Sequence, residues 1–373
     1  MRDLHTEEMT INMGPQHPST HGVLRLRLRT DGEVVTGIEP VLGYLHRCFE
    51  KHSENLEYPG VIPFVDRCDY LAAMNNDHGY AMAIEKLLGI EVPERVEYLR
   101  IIFAELQRIA SHLVAFGTFG LDTGAFTPFL YAFREREMIL DLFEMTCGAR
   151  LLYNYIWVGG LSHDIQPGFV EKTYAFLDHF EPKIKEYNNL LTHNKIFIER
   201  TADVGVLPAE VAINYGVTGP QLRASGVDWD LRRDEPYSIY DRFDWDVIIG
   251  SDDVGALGDC WNRYYVKILE MQESAKIIRQ ALNDLPVDGD VQEAIPRKIR
   301  PPKGSFYFRS ENPRGELGFY IISDGSTKPF RVKMRSPALC NLSVIDEIGS
   351  GWLVADIVAI LGSLDIVLGE IDR

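Results

Sequence analysis

The hydrophobic period of this chain changes near Arg67, and that change constrains the fold more than any other feature of the sequence. Before it, Val23-Leu24-Arg25-Leu26-Arg27-Leu28-Arg29 alternates apolar and basic residues, the period-two pattern of a half-buried strand. A turn at Asp31-Gly32 and the run from Val34 to Glu39 return the chain as a hairpin partner. After it, helical patterns dominate as far as residue 285. The clearest helix opens at Pro93, carries Glu94 and Glu97 near its positive end, repeats Val96, Leu99, Phe103, Leu106, Ala110 and Leu113 along one stripe, and stops at Gly117 and Gly120. A second starts near Pro128 and holds Arg134-Glu135-Arg136-Glu137, a charge cluster that reads either as a solvated face or as buried ion pairs. Further helices are expected at about 168–193, 208–215 and 252–284, around an irregular segment from Gly219 to Trp245. A Pro-rich link then leads to two strands at 304–309 and 316–323, a helix near Trp352 to Leu361, and the tail 364–373. The expected fold class is α+β, mainly α. Residues 1–65 form an N-terminal β-rich segment, 66–290 a helical core, and 291–373 C-terminal strands, a helix and a buried tail, packed as one compact unit.

With 373 residues and 46% hydrophobic content the chain can bury a large core. Its formal charge of -17 argues against nucleic acid or anionic lipid as the main partner. The five cysteines, Cys48, Cys68, Cys147, Cys260 and Cys340, include no C-x-x-C pair, so neither a disulfide framework nor an iron–sulfur ligand set is expected, and a reducing compartment fits. No apolar run reaches the ~18 residues a membrane span needs. The acidic start, Met1 to Glu8, does not read as a signal or transit peptide, so membrane contact is expected through partner subunits. No Gly-x-Gly-x-x-Gly fingerprint for a dinucleotide is present.

The run Met13-Gly14-Pro15-Gln16-His17-Pro18-Ser19-Thr20-His21-Gly22-Val23 places two imidazoles in a stiff, non-helical loop. Three readings are open: a metal pair, a structural loop, or a proton-handling site. The intervening proline and the lack of a third ligand at useful spacing weigh against the metal.

Taken with Gly43-Tyr44-Leu45-His46-Arg47, Tyr131 to Glu137, Leu222-Arg223-Ala224-Ser225-Gly226 and the Gly369-Glu370-Ile371-Asp372-Arg373 terminus, this loop resembles the 49-kDa-type quinone-site subunits of bacterial respiratory complex I. The resemblance covers essentially the whole chain, and that family is related to the large subunit of nickel–iron hydrogenases. It implies a hydrogenase-like helical core. It also implies a peripheral-arm subunit of a proton-pumping NADH:quinone oxidoreductase, on the cytoplasmic side of the bacterial inner membrane. The partners implied are the small subunit that carries the terminal [4Fe–4S] cluster, other peripheral-arm subunits, and a membrane-embedded subunit that completes the quinone tunnel. Quinone, menaquinone or ubiquinone, is the implied substrate, and no metal or flavin is expected on this chain alone.

The hydrogenase relationship can be tested on the residues themselves. Hydrogenases hold nickel and iron with an Arg-x-Cys-x-x-Cys motif and a C-terminal Asp-Pro-Cys-x-x-Cys-x-x-His motif. Here the corresponding stretches read Arg67-Cys68-Asp69-Tyr70-Leu71-Ala72 and Asp365 to Arg373. Asp69, Ala72, Val367 and Glu370 stand where thiolates are required, so a nickel–iron centre has no ligands.

By the same resemblance, His21 and Tyr70 are the headgroup ligands, with Asp122 as the partner of the histidine. Quinone reduction takes two electrons and two protons, and a phenol and an imidazolium beside a carboxylate are suited to give protons to the carbonyl oxygens. Arg47 is implied to approach the partner's cluster and tune its potential. Each has a plainer reading: Tyr70 as a core aromatic, Asp122 as a turn or cap residue, Arg47 as a surface residue paired with Glu50. Family members commonly carry a histidine two residues after the arginine of the Gly-Ala-Arg stretch; here that place is Leu152, which predicts a weaker pH dependence of the adjacent cluster. Other readings are the same role fed by ferredoxin or reduced deazaflavin, a true hydrogenase, disfavoured by the missing thiolates, and a noncatalytic hydrogenase-like scaffold.

Overall fold

The computed structural model describes residues 8–17, 20–296 and 298–373. The expectations for Met1 to Glu7 and for Pro18 and Ser19 of the histidine loop lie outside those residues. Strands β1 (Glu8–Met13), β2 (Arg25–Asp31) and β3 (Val34–Val41) form an antiparallel sheet in that order, with Leu28 opposite both Ile11 and Ile38. The alternation read from the sequence sets its faces. Leu24, Leu26 and Leu28 turn into the core with Val35 and Ile38, while Arg27 points out to Glu39.

Helices α1 (Ala73–Leu88), α2 (Glu94–Asp122), α3 (Thr127–Cys147), α4 (Phe169–Tyr187) and α5 (Cys260–Asp284) form the body, with α2 packed lengthwise between α3 and α5. Two sequence expectations are corrected here. Helix α2 runs through Gly117 and Gly120 to Asp122. A Cβ on Gly117 would lie 3.0 Å from the Phe129 backbone, and one on Gly120 3.2 Å from the Ala125 carbonyl. Both glycines therefore serve the close approach of α3 and do not end the helix. Helix α5 begins at Cys260, not near 252, because Gly258 takes φ +83° and Asp259 caps the helix by accepting the Asn262 amide at 2.7 Å.

The segment Gly219 to Trp245 is irregular apart from short turns at Pro220–Ala224, Leu231–Asp234 and Tyr240–Arg242. A second antiparallel sheet, β4 (Gly304–Asn312), β5 (Gly315–Ser323) and β6 (Arg331–Arg335), lies against α1. The chain closes with α6 (Pro337–Leu342), α7 (Val354–Leu364) and α8 (Leu368–Asp372). Helix α7 packs on α2 and α5, which draws the tail into the core. There Ile366, Leu368 and Ile371 are buried with Leu24 and Leu26 of the first sheet.

Between α2, α5 and β4 lies a network of buried charge. Arg223 binds Glu270 at 2.6 Å, Glu311 at 2.9 Å and Asp230 at 3.1 Å. Arg232 joins Asp230 at 2.7 Å to Glu105 at 3.3 Å, and Glu105 also meets Arg108 at 3.1 Å. In α3 the charge cluster divides: Glu135 is buried and accepts from Tyr187 at 2.6 Å, whereas Arg134 stays half-exposed.

Candidate functional site

His21 sits in the left-handed region at φ +51°, just before Gly22 at φ +125°, in a loop closed by the Thr20 hydroxyl on the His17 carbonyl at 2.8 Å. This backbone turns the imidazole inward, where Nε2 donates to Asp122 Oδ2 at 2.7 Å. The two side chains are 14% and 8% exposed, so the bond is largely shielded from water and its electrostatic strength is preserved. With Nε2 committed to the carboxylate, Nδ1 is the ring nitrogen left for a ligand.

Asp122 is the last residue of α2, and capping there falls to its neighbour: the Thr123 hydroxyl bonds the Phe119 carbonyl at 2.9 Å. The turn-or-cap reading of Asp122 therefore gives way to a 101-residue link back to the N-terminal loop. Its position requires Gly362 of α7, where a Cβ would stand 2.7 Å from Asp122 Oδ2.

The tail lies between this pair and Tyr70. A Cβ at Gly22 would be 3.2 Å from Leu368 Cδ1; one at Gly369 would be 2.6 Å from the Cys68 carbonyl and 3.2 Å from Tyr70 Cε1. Tyr70 is half-buried, and its hydroxyl has no hydrogen-bond partner among the described residues. Burial, and then the charge of Asp69, push the phenol above its ordinary range, so it remains a proton donor at neutral pH. His21 and Asp122 are thus joined directly, while among the described residues no hydrogen bond links either to Tyr70; the shared neighbour is the tail.

Of Asp69, Ala72, Val367 and Glu370, all buried, the first and the last bring carboxyl groups into the core. Asp69 Oδ2 accepts from Arg314 Nη1 at 2.7 Å, Arg314 Nη2 meets Asp365 Oδ1 at 3.2 Å, and Lys267 lies 3.5 Å from Asp365 Oδ2. Against the push of burial, Arg314 and Lys267 hold Asp365 below its ordinary range, whereas burial raises Asp69 and Glu370. Sequence reasoning singled out Asp69 and Glu370 as absent ligands and missed Arg314, which stands in the tight β4–β5 turn far from either in sequence. The Arg-Gly pair between two strong strand patterns was the available signal.

Loop 43–47 fastens the tail's end. Asp372 accepts the Gly43 and Leu45 amides at 2.9 and 2.7 Å, and His46 Nδ1 donates to the Asp372 carbonyl at 2.7 Å. A cavity of about 390 Å³ opens here, lined by His46, Glu50, Lys333 and Arg373 but not by the expected headgroup ligands. Arg47 is exposed, with its guanidinium on the Arg67 carbonyl. Glu50 pairs instead with Lys333 at 2.9 Å, which removes the Arg47–Glu50 reading. Leu152 is half-buried at φ +60°, two residues before Asn154, whose amide donates to Asp66 at 2.8 Å. No helix among the described residues is long and apolar enough to cross a membrane.

The family model described as respiratory-chain NADH dehydrogenase, 49 Kd subunit, matches residues 122–301 and 291–373. Over its whole length the chain is 58% identical to the D-type subunit of NADH-quinone oxidoreductase from Chlorobium chlorochromatii and 58% identical to that of Prosthecochloris aestuarii. It is 57% identical to the same subunit of Chlorobaculum tepidum, and covers 94% of each of the three.

Proposed function

This chain belongs to the family of the 49 Kd subunit of respiratory-chain NADH dehydrogenase, and from that membership and the geometry above we propose that it forms the site where the quinone headgroup is reduced. It is one subunit of a hetero-oligomeric, membrane-associated NADH-quinone oxidoreductase, with quinone as substrate. In this reading the complex pumps protons, and the chain sits peripherally on the cytoplasmic face of the inner membrane. It contacts a small subunit that holds the terminal [4Fe–4S] cluster and a membrane subunit that completes the quinone tunnel.

The bond between His21 and Asp122 carries the reading. A carboxylate at a helix end that a neighbouring threonine caps, spent instead on orienting an imidazole in a left-handed loop position with one ring nitrogen left open, is arranged for a ligand. His21 Nδ1 and the Tyr70 hydroxyl approach the two headgroup oxygens. The carboxylate of Asp122 fixes the ring; the phenol, kept protonated by burial, supplies the second donor. Exposed Arg47 faces the cluster of the partner subunit and stabilises its reduced form. Leu152, where relatives commonly carry a histidine, leaves that cluster with a weaker pH dependence. The relatives, NADH-quinone oxidoreductase subunits by name, favour NADH as the electron source over ferredoxin or deazaflavin.

NADH-driven, inhibitor-sensitive quinone reduction in membranes carrying Tyr70→Phe tests this, with NADH oxidation by an artificial acceptor as the control for electron input. The expected result is loss of quinone reduction with the control intact. Survival of both activities would return Tyr70 to the core-aromatic reading and remove the site.

A further inference from the structure

The two acidic residues at former thiolate positions have no role in the reaction as drawn so far. Around Arg314 three buried carboxyl groups, Asp69, Asp365 and Glu370, meet two cations, Arg314 and Lys267. Arg314 is already bonded to Asp69, Asp365 and the Ser111 hydroxyl, and Lys267 stands beside Asp365. Nothing cationic within ion-pair distance remains for Glu370 among the described residues. Its Oε2 accepts the Ala338 amide at 3.1 Å, and its Oε1, buried, has no partner. One carboxyl too many in a dry cluster must hold a proton, since two like charges sharing one counter-ion do not both ionise.

We propose that Asp69 and Glu370 hold one resident proton between them beneath Arg314, and that this proton re-protonates the Tyr70 phenol during quinone reduction, a step that rests on the quinone-site reading above. Asp69 precedes Tyr70 in the chain and its charge acts on the phenol; Gly369, which precedes Glu370, packs against the phenol ring. Glu370 is faced by Asp69, Arg314, the Ser336 hydroxyl and the Cys68 thiol, and Asp365 by His21 and His112. In balance, the quinone receives two electrons from NADH through the complex. One proton comes from the Tyr70 hydroxyl and one from the His21 imidazolium. The phenolate then takes the Glu370 proton, and the emptied carboxyl pair and the neutral His21 imidazole each regain a proton from solvent.

Burial, followed by the charge of Asp69, pushes the Glu370 carboxyl up to about 8, so the store is full at neutral pH and empties as pH rises through that value. In assembled complex carrying Glu370→Gln, quinone reduction should fall at least about tenfold and lose its alkaline limb, while oxidation by an artificial acceptor holds. Glu370→Asp, which keeps a carboxyl, should restore most of the rate. A wild-type rate and pH profile in Glu370→Gln, or Glu370→Asp as slow as Glu370→Gln, overturns the proposal. Should Glu370→Gln not assemble, the wild type and Asp69→Asn decide: an alkaline limb that moves in Asp69→Asn supports the store, and a limb that stays in place there, or a flat wild-type profile over about pH 6 to 10, overturns it. Tyr70→Phe separates the two readings. If quinone reduction survives Tyr70→Phe, the quinone site itself fails; if it collapses there but not in Glu370→Gln, only the proton store fails.

Discussion

Two clusters of buried charge share helix α5 and differ in how completely they are paired. In the inner one, each of Glu105, Asp230, Glu270 and Glu311 has a guanidinium within 3.3 Å. In the one beside the tail, Arg314 divides itself between Asp69 and Asp365, Glu370 is left over, and nearby the Tyr70 hydroxyl is open. Both are equally dry, so burial alone does not mark function. What differs is closure among the carboxylates: in the inner network each has its guanidinium, although Arg108 Nη1 and His112 Nδ1 there have no partner, whereas beside the tail one carboxyl is left over to take a proton.

The largest effect is expected from breaking the closed network. Arg223→Ala removes the one guanidinium within ion-pair distance of Glu270 and of Glu311 among the described residues, while Asp230 keeps Arg232, at a cost of about 3–5 kcal/mol. The chain should be lost from the assembled complex, measured as its amount relative to the other subunits; full assembly would show that the network is not what docks α5 onto β4. The second effect belongs to the open region. Asp122→Asn keeps the shape but removes the charge beside His21, and is expected to slow quinone reduction at least about tenfold with assembly unchanged. Equal loss of assembly in both variants would erase the distinction between the clusters.

The pH response sharpens it. Against the push of burial, Arg223 and His112 hold Glu270, and Arg108 and Arg232 hold Glu105, below the ordinary carboxylate range. Their contribution to stability is complete above about pH 4.5 and is lost as pH falls through the depressed values. The part of the complex's stability that Glu105 and Glu270 supply should therefore be flat between neutral pH and about 5, read as the melting-temperature difference between the complex and its Glu105→Gln variant; a difference that already shrinks near neutral would contradict the assignment. The smallest effect is expected at Leu152. Leu152→His should steepen the pH dependence of the partner cluster's potential without changing assembly, and an unchanged slope in a redox titration would take the 150–154 segment away from the cluster.

Local patterns made the outer architecture legible. The alternation of 23–29 gave the right faces for β2, and the stripe from Val96 to Leu113 gave the body of α2. The misread helix end at Gly117 and Gly120 had a tertiary cause, the approach of α3, which a window along one helix does not contain. The His21–Asp122 pair joins residues 101 apart and came from the resemblance alone. The buried networks were the least legible. Arg223, Arg232 and Arg314 stand in short turns of polar sequence, where the ordinary expectation is exposure. Apart from Asp230, close to Arg223 and Arg232 in the chain, the carboxylates that bury them lie 47 to 245 residues away.

The most direct test of the central claim is photolabelling of the intact complex with a short-tailed azidoquinone, followed by peptide mapping with and without excess unlabelled quinone. The account predicts competed adducts on the segments that carry His21 and Tyr70. Competed label confined to other subunits, or to the second sheet at 304–335, would contradict it.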